Sequence, residues 1–294
     1  MNNNLKFIRS FAKILLLYAI YIASEGVFAQ NSLNNFILNP QPYHFLPNKG
    51  QFLASSYDLN KSLVTVQYQN KIGIFSDIRN IYVDGIVKSK QGHIIGLKIY
   101  SEQETSLYSK SKMYFVYGYT IHINDDLTWT SAAQVGAVNI AFGASAVSAG
   151  GSAWNWDASL ASSLQYKKWH LGIGLNQIPG AKLTPINYEF HLNRYVETIL
   201  SRQMDVSPFV EWELGTKVLV NADTLLFSID NKISYQKKMG ALVMANSFKQ
   251  VSLGGFVDIT KSVGVFTIAF NYGFSFSGVR TNQSQYCATL YFKR

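Results

Sequence analysis

The clearest pattern in this chain is an alternation of apolar residues with small or polar residues near the C-terminus. From Gly264 to Phe276 the even positions read Gly, Phe, Ile, Phe, Tyr, Phe, Phe, and the residues between them are mostly small or polar. Because successive side chains of a strand point to opposite faces, such a strand has one aromatic face and one small, polar face. The pattern recurs on strand after strand. It is typical of a transmembrane β-barrel, which turns apolar residues to lipid and polar residues to the lumen.

The same period of two predicts an all-β fold, a transmembrane outer-membrane β-barrel of about fourteen antiparallel strands with an irregular N-terminal lead-in. An even strand number places both ends of the barrel on the periplasmic side, and short periplasmic turns should alternate with longer outside loops. Long connections are predicted at 101–111, 143–153, 177–187 and 277–284, whereas the outside connection at 249–250 is unexpectedly tight. The strands are predicted at 63–75, 81–88, 93–100, 112–123, 127–142, 154–165, 169–176, 188–199, 205–220, 225–236, 239–248, 251–259, 263–276 and 285–294.

The phase of each strand predicts which side chains reach the lumen. A charge at the lipid midplane costs about 2–4 kcal/mol, so charged residues should face inward. In 205–220 this rule places Glu211, Glu213 and Lys217 in the lumen as a candidate charged cluster. The two carboxylates either bind a cation, take part in acid–base chemistry, or are paired with Lys217 or another basic residue of the inner wall. Bulky residues, among them Tyr114 and Phe209, are expected on the inner face and favour a filled interior. The outward positions in three strands are Met113, Phe115, Tyr117, Tyr119 and Ile121; Trp169, Leu171, Ile173 and Leu175; and Val210, Trp212, Leu214 and Val218.

The N-terminus has the organisation of a secretory signal peptide. Basic residues precede an apolar run at 14–23 that is too short to span a bilayer, and Ala29 precedes the expected cleavage site. The chain therefore divides into a signal peptide at 1–29, a periplasmic or plug-like lead-in at 30–62, and the barrel at 63–294. No later stretch of 18 apolar residues predicts a transmembrane helix, and the expected location is the cell outer membrane.

The net charge of +9 does not indicate a nucleic-acid partner, because the basic residues are scattered or lie at turns such as Lys167-Lys168 and Lys237-Lys238. Positive charge at strand ends is better suited to the anionic head groups of membrane lipids. The single cysteine, Cys287, excludes an intrachain disulfide and lies in an alternating strand.

We expect no catalytic, metal or cofactor site. The five histidines lie on separate segments without metal-ligand spacing: His44, His93, His122, His170 and His191. His122 and His170 are expected to face the lumen, and no serine is evidently paired with either. The Gly172-Ile173-Gly174 element lies inside a strand and not at a strand-to-helix turn, so it is not a phosphate loop. These features indicate a non-enzymatic barrel.

Several segments resemble those of the PorP/SprF family of outer-membrane proteins, which is associated with type IX secretion in Bacteroidetes-type bacteria. The similarity is spread over nearly the whole mature chain as strand patterns, and no catalytic signature carries it. The lead-in departs from the family pattern, since Asn39-Pro40 is followed by Gln41-Pro42-Tyr43. The segments that carry the resemblance are Ile37-Leu38-Asn39-Pro40, Tyr114–Tyr119, Gly172–Asn176, Val206–Val210, Ser252–Phe256 and Phe270–Phe274.

The resemblance implies a component of type IX secretion, gliding motility or surface anchoring of a secreted client. It also implies as partners a periplasmic peptidoglycan-linked lipoprotein, a secreted surface protein, or both. The alternative from the residues alone is an outer-membrane channel or substrate-specific transporter, because a fourteen-stranded barrel can enclose a lumen whose charges set selectivity.

Overall fold

The chain folds into a closed antiparallel barrel of fourteen strands, in a computed structural model that describes residues 35–36, 62–72, 78–105, 108–144, 149–187, 189–221, 225–246, 250–275 and 284–293. The wall is continuous because β17 pairs with β2 and β8 pairs with β11. The strands are β1 (Asn35–Phe36), β2 (Ser62–Ile72), β3 (Ile78–Lys88), β4 (His93–Thr105), β5 (Tyr108–Asn124), β6 (Leu127–Phe142), β7 (Gly151–Tyr166), β8 (Trp169–Asn176), β9 (Lys182–Leu183), β10 (Phe190–Leu192), β11 (Tyr195–Ser207), β12 (Val210–Val220), β13 (Leu225–Tyr235), β14 (Met239–Asn246), β15 (Gln250–Lys261), β16 (Gly264–Ser275) and β17 (Ser284–Lys293). The predicted fold class and strand number are confirmed.

Most of the barrel strands are long enough to cross a bilayer. About 9–11 tilted residues span the hydrocarbon core, and all barrel strands except β8 and β14 have at least ten residues, with β5 reaching 17. One rim carries tight turns such as 125–126 and 167–168, which identifies it as the periplasmic rim. In the part of the chain described, no helix is both long and apolar enough to traverse a membrane.

Alternation along the strands sorts lipid-facing from lumen-facing side chains as predicted. On β16, Phe270 is 54% exposed and Tyr272 45% exposed, whereas Thr267 and Asn271 on the other face are 3% and 5% exposed. The predicted outward residues of β5 are confirmed in the same way, with Phe115 exposed and its neighbours Tyr114 and Val116 buried. The outer surface is therefore an aromatic and aliphatic belt, as lipid requires.

The turn between β11 and β12 is a correction to the sequence prediction. We placed a break at 200–204, but the strand continues to Ser207 and the chain turns at 208–209. The Ser207 Oγ accepts hydrogen bonds from the backbone N–H groups of Phe209, at 3.3 Å, and Val210, at 3.1 Å. Such a serine turn closes a two-residue connection locally. Phe209 consequently lies in the turn and is 58% exposed, so its predicted inward orientation was wrong.

The connection between β4 and β5 is a second correction. A long loop was expected at 101–111, but β4 runs to Thr105 and β5 begins at Tyr108. The polar residues of this stretch pair in register, for example Glu102 with Lys110. A strand end that stands clear of the hydrocarbon tolerates polar side chains on both faces, so polarity alone did not mark the end of the strand.

The outside connection between β8 and β11 is folded inward. It carries β9 and β10, which pair antiparallel, and β1 pairs in parallel with β10 to complete a small three-stranded sheet. This connection includes residues 188–194, which we had assigned to the next strand. Apart from β1, the predicted signal peptide and most of the lead-in lie outside the described residues, and these assignments stay predictions.

Candidate functional site in the barrel lumen

The inner face of the barrel carries a group of charged and aromatic polar side chains, which we call the luminal belt. The belt lines a cavity of about 50 Å³, measured as the volume open to the centres of water molecules. A volume of about 10–15 Å³ of this kind holds one water, so the cavity accommodates only a few. The lining residues are Tyr82, Lys98, Tyr100, Lys112, Tyr114, Gln134, Asp157, Ser159, Asn176, Gln177, Tyr195, Glu197 and Lys217.

The strand order explains why these residues meet. Cross-strand register places residues of one face side by side, so inward positions on neighbouring strands form a continuous inner wall. The belt runs from Tyr82 on β3 to Lys217 on β12, and seven steps separate these two strands in the fourteen-membered ring. They therefore stand on opposite sides of the barrel. The belt crosses the lumen and is not confined to one wall.

One half of the belt is organised around Asp157 on β7. The Tyr114 hydroxyl donates a hydrogen bond of 2.6 Å to the Asp157 carboxylate, and the backbone N–H of Ala158 donates another of 2.8 Å. The Lys112 ammonium lies 5.1 Å from the centroid of the Tyr100 ring and 6.0 Å from that of Tyr114. Buried charges need such partners, because an unpaired charge in a desolvated site is strongly unfavourable.

The other half of the belt is organised around Glu197 on β11. The carboxylate pairs with the Lys217 ammonium of β12 at 2.6 Å and accepts a hydrogen bond of 3.5 Å from the Asn176 amide of β8. Glu197 is 6% exposed, and the side chain of Lys217 retains 18% exposure. Three neighbouring strands are thus tied together by one carboxylate on the luminal side.

A second ion pair lies on the same inner wall near the outside rim. The Lys110 ammonium is 3.2 Å from the Glu102 carboxylate, which also accepts a hydrogen bond from the Tyr100 hydroxyl. Because the pair joins β4 to β5 where these strands approach the outside, it links the rim to the belt below.

The inward-folded loop covers the belt from the outside. Its Leu183 and Leu192 are each 1% exposed and pack with Phe190 against Val138 and Ile140 on the inner face of β6. An aromatic contact extends this packing, since the Phe142 and Phe190 rings stack with centroids 5.6 Å apart. The loop and its apolar cluster fill the outside half of the lumen over β5–β7.

Backbone and side-chain hydrogen bonds fix this loop against the barrel wall. The backbone N–H of Ile178 donates to the carbonyl of Ala158 at 2.9 Å, and the Asn155 amide donates to the carbonyl of Lys182 at 2.7 Å. The Arg194 guanidinium donates to the carbonyl of Ile178 at 2.7 Å. The loop is therefore tied to β7 at two points and closed at its base.

The exposed side of the loop has an acid–base contact of its own. The Glu189 carboxylate lies 3.0 Å from the Lys182 ammonium and 2.6 Å from the His191 Nε2. The hydrogen bond from Lys182, followed by the positive charges of Lys182 and His191, lowers the pKa of Glu189 below its ordinary value of 4.5. The contact joins β9 to β10 and stabilises the folded loop at neutral pH.

The three residues predicted as a luminal cluster are separated along β12. Lys217 belongs to the belt, whereas Glu211 lies near the periplasmic turns, where it pairs with Lys237 of the β13–β14 turn at 2.9 Å. That hydrogen bond raises the pKa of Lys237. Glu213 lies between them, in register with Lys232 of β13. The structure thus brings Lys217 together with Glu197 and not with the two glutamates.

Most belt residues were missed by the sequence analysis. Lys112, Asp157, Tyr195 and Glu197 all carry the inward phase of their strands, which is the signal that could have found them. Their mutual contacts depend on the closure of the barrel and on strands distant in sequence. A period of two gives the face of a residue but not its height in the lumen.

The histidines occupy unrelated places. His170 is buried on the inner face of β8 and is 2% exposed, while His93 packs its ring against Tyr117 and Tyr119 on the outer face. His191 is in the inward loop. Within the described ranges, no group of three or more His, Cys, Asp or Glu side chains is arranged to hold a metal ion.

A closed antiparallel barrel with an apolar outer belt, tight turns on one rim and a polar interior defines an outer-membrane β-barrel protein. Solved structures of this class are similar in fold. The toluene transporter TbuX of Ralstonia pickettii matches with a TM-score of 0.55 and 10% identity over 83% of this chain and 92% of its own. The toluene transporter TodX of Pseudomonas putida matches with a TM-score of 0.54 and 11% identity over 83% of this chain and 92% of its own.

Sequence similarity identifies the family of this protein. A model of the type IX secretion system membrane protein PorP/SprF family matches residues 55–290, and the chain belongs to this family. The protein is located in the outer membrane and is associated with type IX secretion. No curated protein matches the sequence. Identities near 10% to the transporters establish a common fold only, and the family supplies the functional context.

Proposed function

We propose that this protein is a non-enzymatic, non-conducting outer-membrane component of type IX secretion that serves gliding motility or holds a secreted client at the cell surface. The observation that carries the proposal is the double closure of the lumen. The luminal belt crosses the barrel at mid-height, and the inward loop packs its apolar cluster above the belt. A barrel closed in this way is suited to be a scaffold in the membrane.

The proposed partners are a periplasmic peptidoglycan-linked lipoprotein, a secreted surface protein, or both. The β11–β12 hairpin offers a contact surface on the periplasmic rim. Val206 is 63% exposed and Phe209 at the turn is 58% exposed. β11 also extends five residues past Arg202, its last residue paired with β8. Exposed apolar side chains on a hairpin that projects beyond its neighbour are a suitable anchor for a periplasmic protein.

The second candidate is a channel or substrate-specific transporter, and the lining of the lumen is the observation in its favour. Lys98, Lys112 and Lys217 face a cavity that accommodates a few waters and would favour small anionic or polar solutes over apolar ones. The structurally similar proteins TbuX and TodX are transporters of toluene, an apolar compound, and such a substrate does not suit this charged interior. Ion conductance separates the two candidates.

Deletion of the gene followed by complementation tests the secretion role. We expect deletion to abolish surface display of the type IX client or gliding, and the unaltered gene to restore both. The Phe209→Asp variant should restore less display at equal barrel abundance, because a charge replaces the proposed periplasmic anchor. The matched control is Val263→Asp, in the β15–β16 turn, where Val263 is also exposed, at 54%. Unchanged display and motility after deletion would overturn the proposal.

The non-enzymatic character has its own test. A fluorophosphonate probe that labels activated serines should leave the folded, purified barrel unlabelled under conditions in which a serine hydrolase is labelled. Stoichiometric labelling of one serine would contradict this part of the proposal.

A further inference from the structure

An arginine projects from the lipid-facing surface near the periplasmic rim. Arg202 lies on β11 in register with Trp169, the first residue of β8, and both share the outward face with Leu200 and Leu171. Leu200 is 42% exposed and Trp169 44% exposed, and Arg202 is also exposed. An arginine in this position is unusual, since the outer face of a barrel strand is otherwise apolar.

The height of Arg202 in the membrane follows from its register. Trp169 comes directly after the periplasmic turn at 167–168, and Arg202 is therefore level with that turn. Tryptophan marks the boundary between hydrocarbon and head groups in membrane proteins. A basic side chain is tolerated at this boundary because the cost of exposing it to lipid falls steeply from the midplane to the interface. Arg202 thus lies where phospholipid phosphates lie.

The guanidinium has an aromatic neighbour but no acidic one. Its carbon lies 4.9 Å from the centroid of the Trp169 ring. The two lysines of the adjacent turn are paired, Lys167 with Asp126 at 3.5 Å and Lys168 with Asp205. Among the residues that the structure describes, Arg202 has no carboxylate partner. The N–H donors of its planar guanidinium lie beside the indole ring and are available to bind an anion from the bilayer.

We propose that Arg202 and Trp169 form a binding site for the phosphate of an anionic glycerophospholipid in the periplasmic leaflet. Arg202 donates hydrogen bonds to the phosphate, and Trp169 packs beside the glycerol backbone. The periplasmic leaflet of an outer membrane is made of glycerophospholipids, which distinguishes this ligand from the lipid A of the outer leaflet.

The test is a lipid titration followed by native mass spectrometry of the detergent-purified full barrel. The probes are dioctanoyl phosphatidylglycerol and, as the zwitterionic comparison, dioctanoyl phosphatidylcholine. We expect Arg202→Gln to weaken binding of phosphatidylglycerol about fivefold, the factor expected for one basic residue at a lipid surface, and to leave phosphatidylcholine unaffected. Arg202→Lys should weaken binding of phosphatidylglycerol by a smaller factor, because lysine keeps the positive charge. Some loss should remain, because lysine lacks the planar donors of arginine.

The matched control is Arg79→Gln, which removes an exposed outward-facing arginine at the other rim, near the start of β3. This variant should bind phosphatidylglycerol as the unaltered protein does. Equal phosphatidylglycerol affinity of the unaltered protein and Arg202→Gln would overturn the site, and so would an equal loss in Arg79→Gln. If Arg202→Gln does not fold, as judged by heat-modifiable gel mobility, Trp169→Leu takes its place and should weaken binding in the same direction.

Discussion

The two sides of the lumen are built from different side chains. On β14–β16 the inner wall contains a compact apolar cluster, which we call the apolar wall, and buried polar residues such as Thr267 and Asn271 flank it. The cluster consists of Leu242, Met244, Phe256 and Ala269, all at most 5% exposed. On β3–β8 and β11–β12 the inner wall carries the luminal belt, and the inward loop covers it over β5–β7. The first side packs apolar side chains across its strands and adds a hydrogen bond from the Thr267 hydroxyl to the Asp258 carboxylate. The second side satisfies buried charges at a cost in desolvation that an apolar interior would avoid.

The close packing of the apolar wall is visible at Gly254 on β15. A Cβ atom placed on this glycine would come within 2.6 Å of the Asn271 Cβ on β16. A side chain there has no room, so glycine allows the two strands to approach. On the belt side, the polar side chains leave a small cavity in the lumen.

Leu242→Ala should produce the largest loss of stability. Leu242 is 3% exposed within the apolar wall, and truncation of such a leucine leaves a cavity that costs about 2–5 kcal/mol. The free energy of unfolding can be measured by urea titration in lipid vesicles, followed by tryptophan fluorescence. The control is Val243→Ala on the lipid-facing side of the same strand, where Val243 is 40% exposed and the loss should be less than half as large. Equal losses would show that the wall is not a packed core.

Tyr114→Phe should have an intermediate effect. The variant removes the hydroxyl that donates to Asp157 and leaves a buried carboxylate short of one partner, at a cost of about 1–3 kcal/mol. The same unfolding titration measures this cost. The control is Tyr119→Phe, which removes a hydroxyl from the lipid-facing side of β5. It should change the free energy of unfolding by less than about 0.5 kcal/mol, as ordinary surface substitutions do. If Tyr114→Phe left the free energy of unfolding unchanged, the hydrogen bonds of the belt would not stabilise the barrel.

Glu189→Gln should have the smallest effect, and one that depends on pH. Because the pKa of Glu189 is lowered in the folded loop, its contribution is fully present above 4.5, the ordinary value, and is lost as the pH falls through the folded pKa. Hydrogen exchange of residues 182–191 should be faster in the variant at neutral pH, and the two proteins should converge in acid. Comparison at matched pH removes the intrinsic pH dependence of exchange. A difference that persists in strong acid would refute the ion-pair explanation.

The sequence was sufficient to predict the strands of the barrel wall but not the side chains and the loop that fill the lumen. The aromatic face of β16 and the outward residues of β5 follow directly from the period of two, because lipid tolerates only one phase. The strand number follows from the same pattern. The errors fall where strands leave the hydrocarbon. There Arg202 and Gln203 on β11, like Glu102 and Lys110 on β4 and β5, are polar without ending the strand.

The inward loop was missed for a related reason. Phe190 and Leu192 alternate with His191 as in a membrane strand, so we assigned them to one. Their apolar partners are Val138 and Ile140 on the inner face of the barrel, about 50 residues earlier. A short alternation of apolar residues does not show whether the apolar side chains face lipid or pack in the interior. That choice depends on how the barrel closes.

The central claim is that the lumen is closed, and planar-bilayer conductance tests it most directly. The purified barrel should insert without a steady open-channel current. A variant lacking residues 181–192, which carry the apolar cluster of the inward loop, should show current under the same conditions and so demonstrate that insertion is detected. A steady, solute-dependent open state of the unaltered protein would contradict the account and favour a channel.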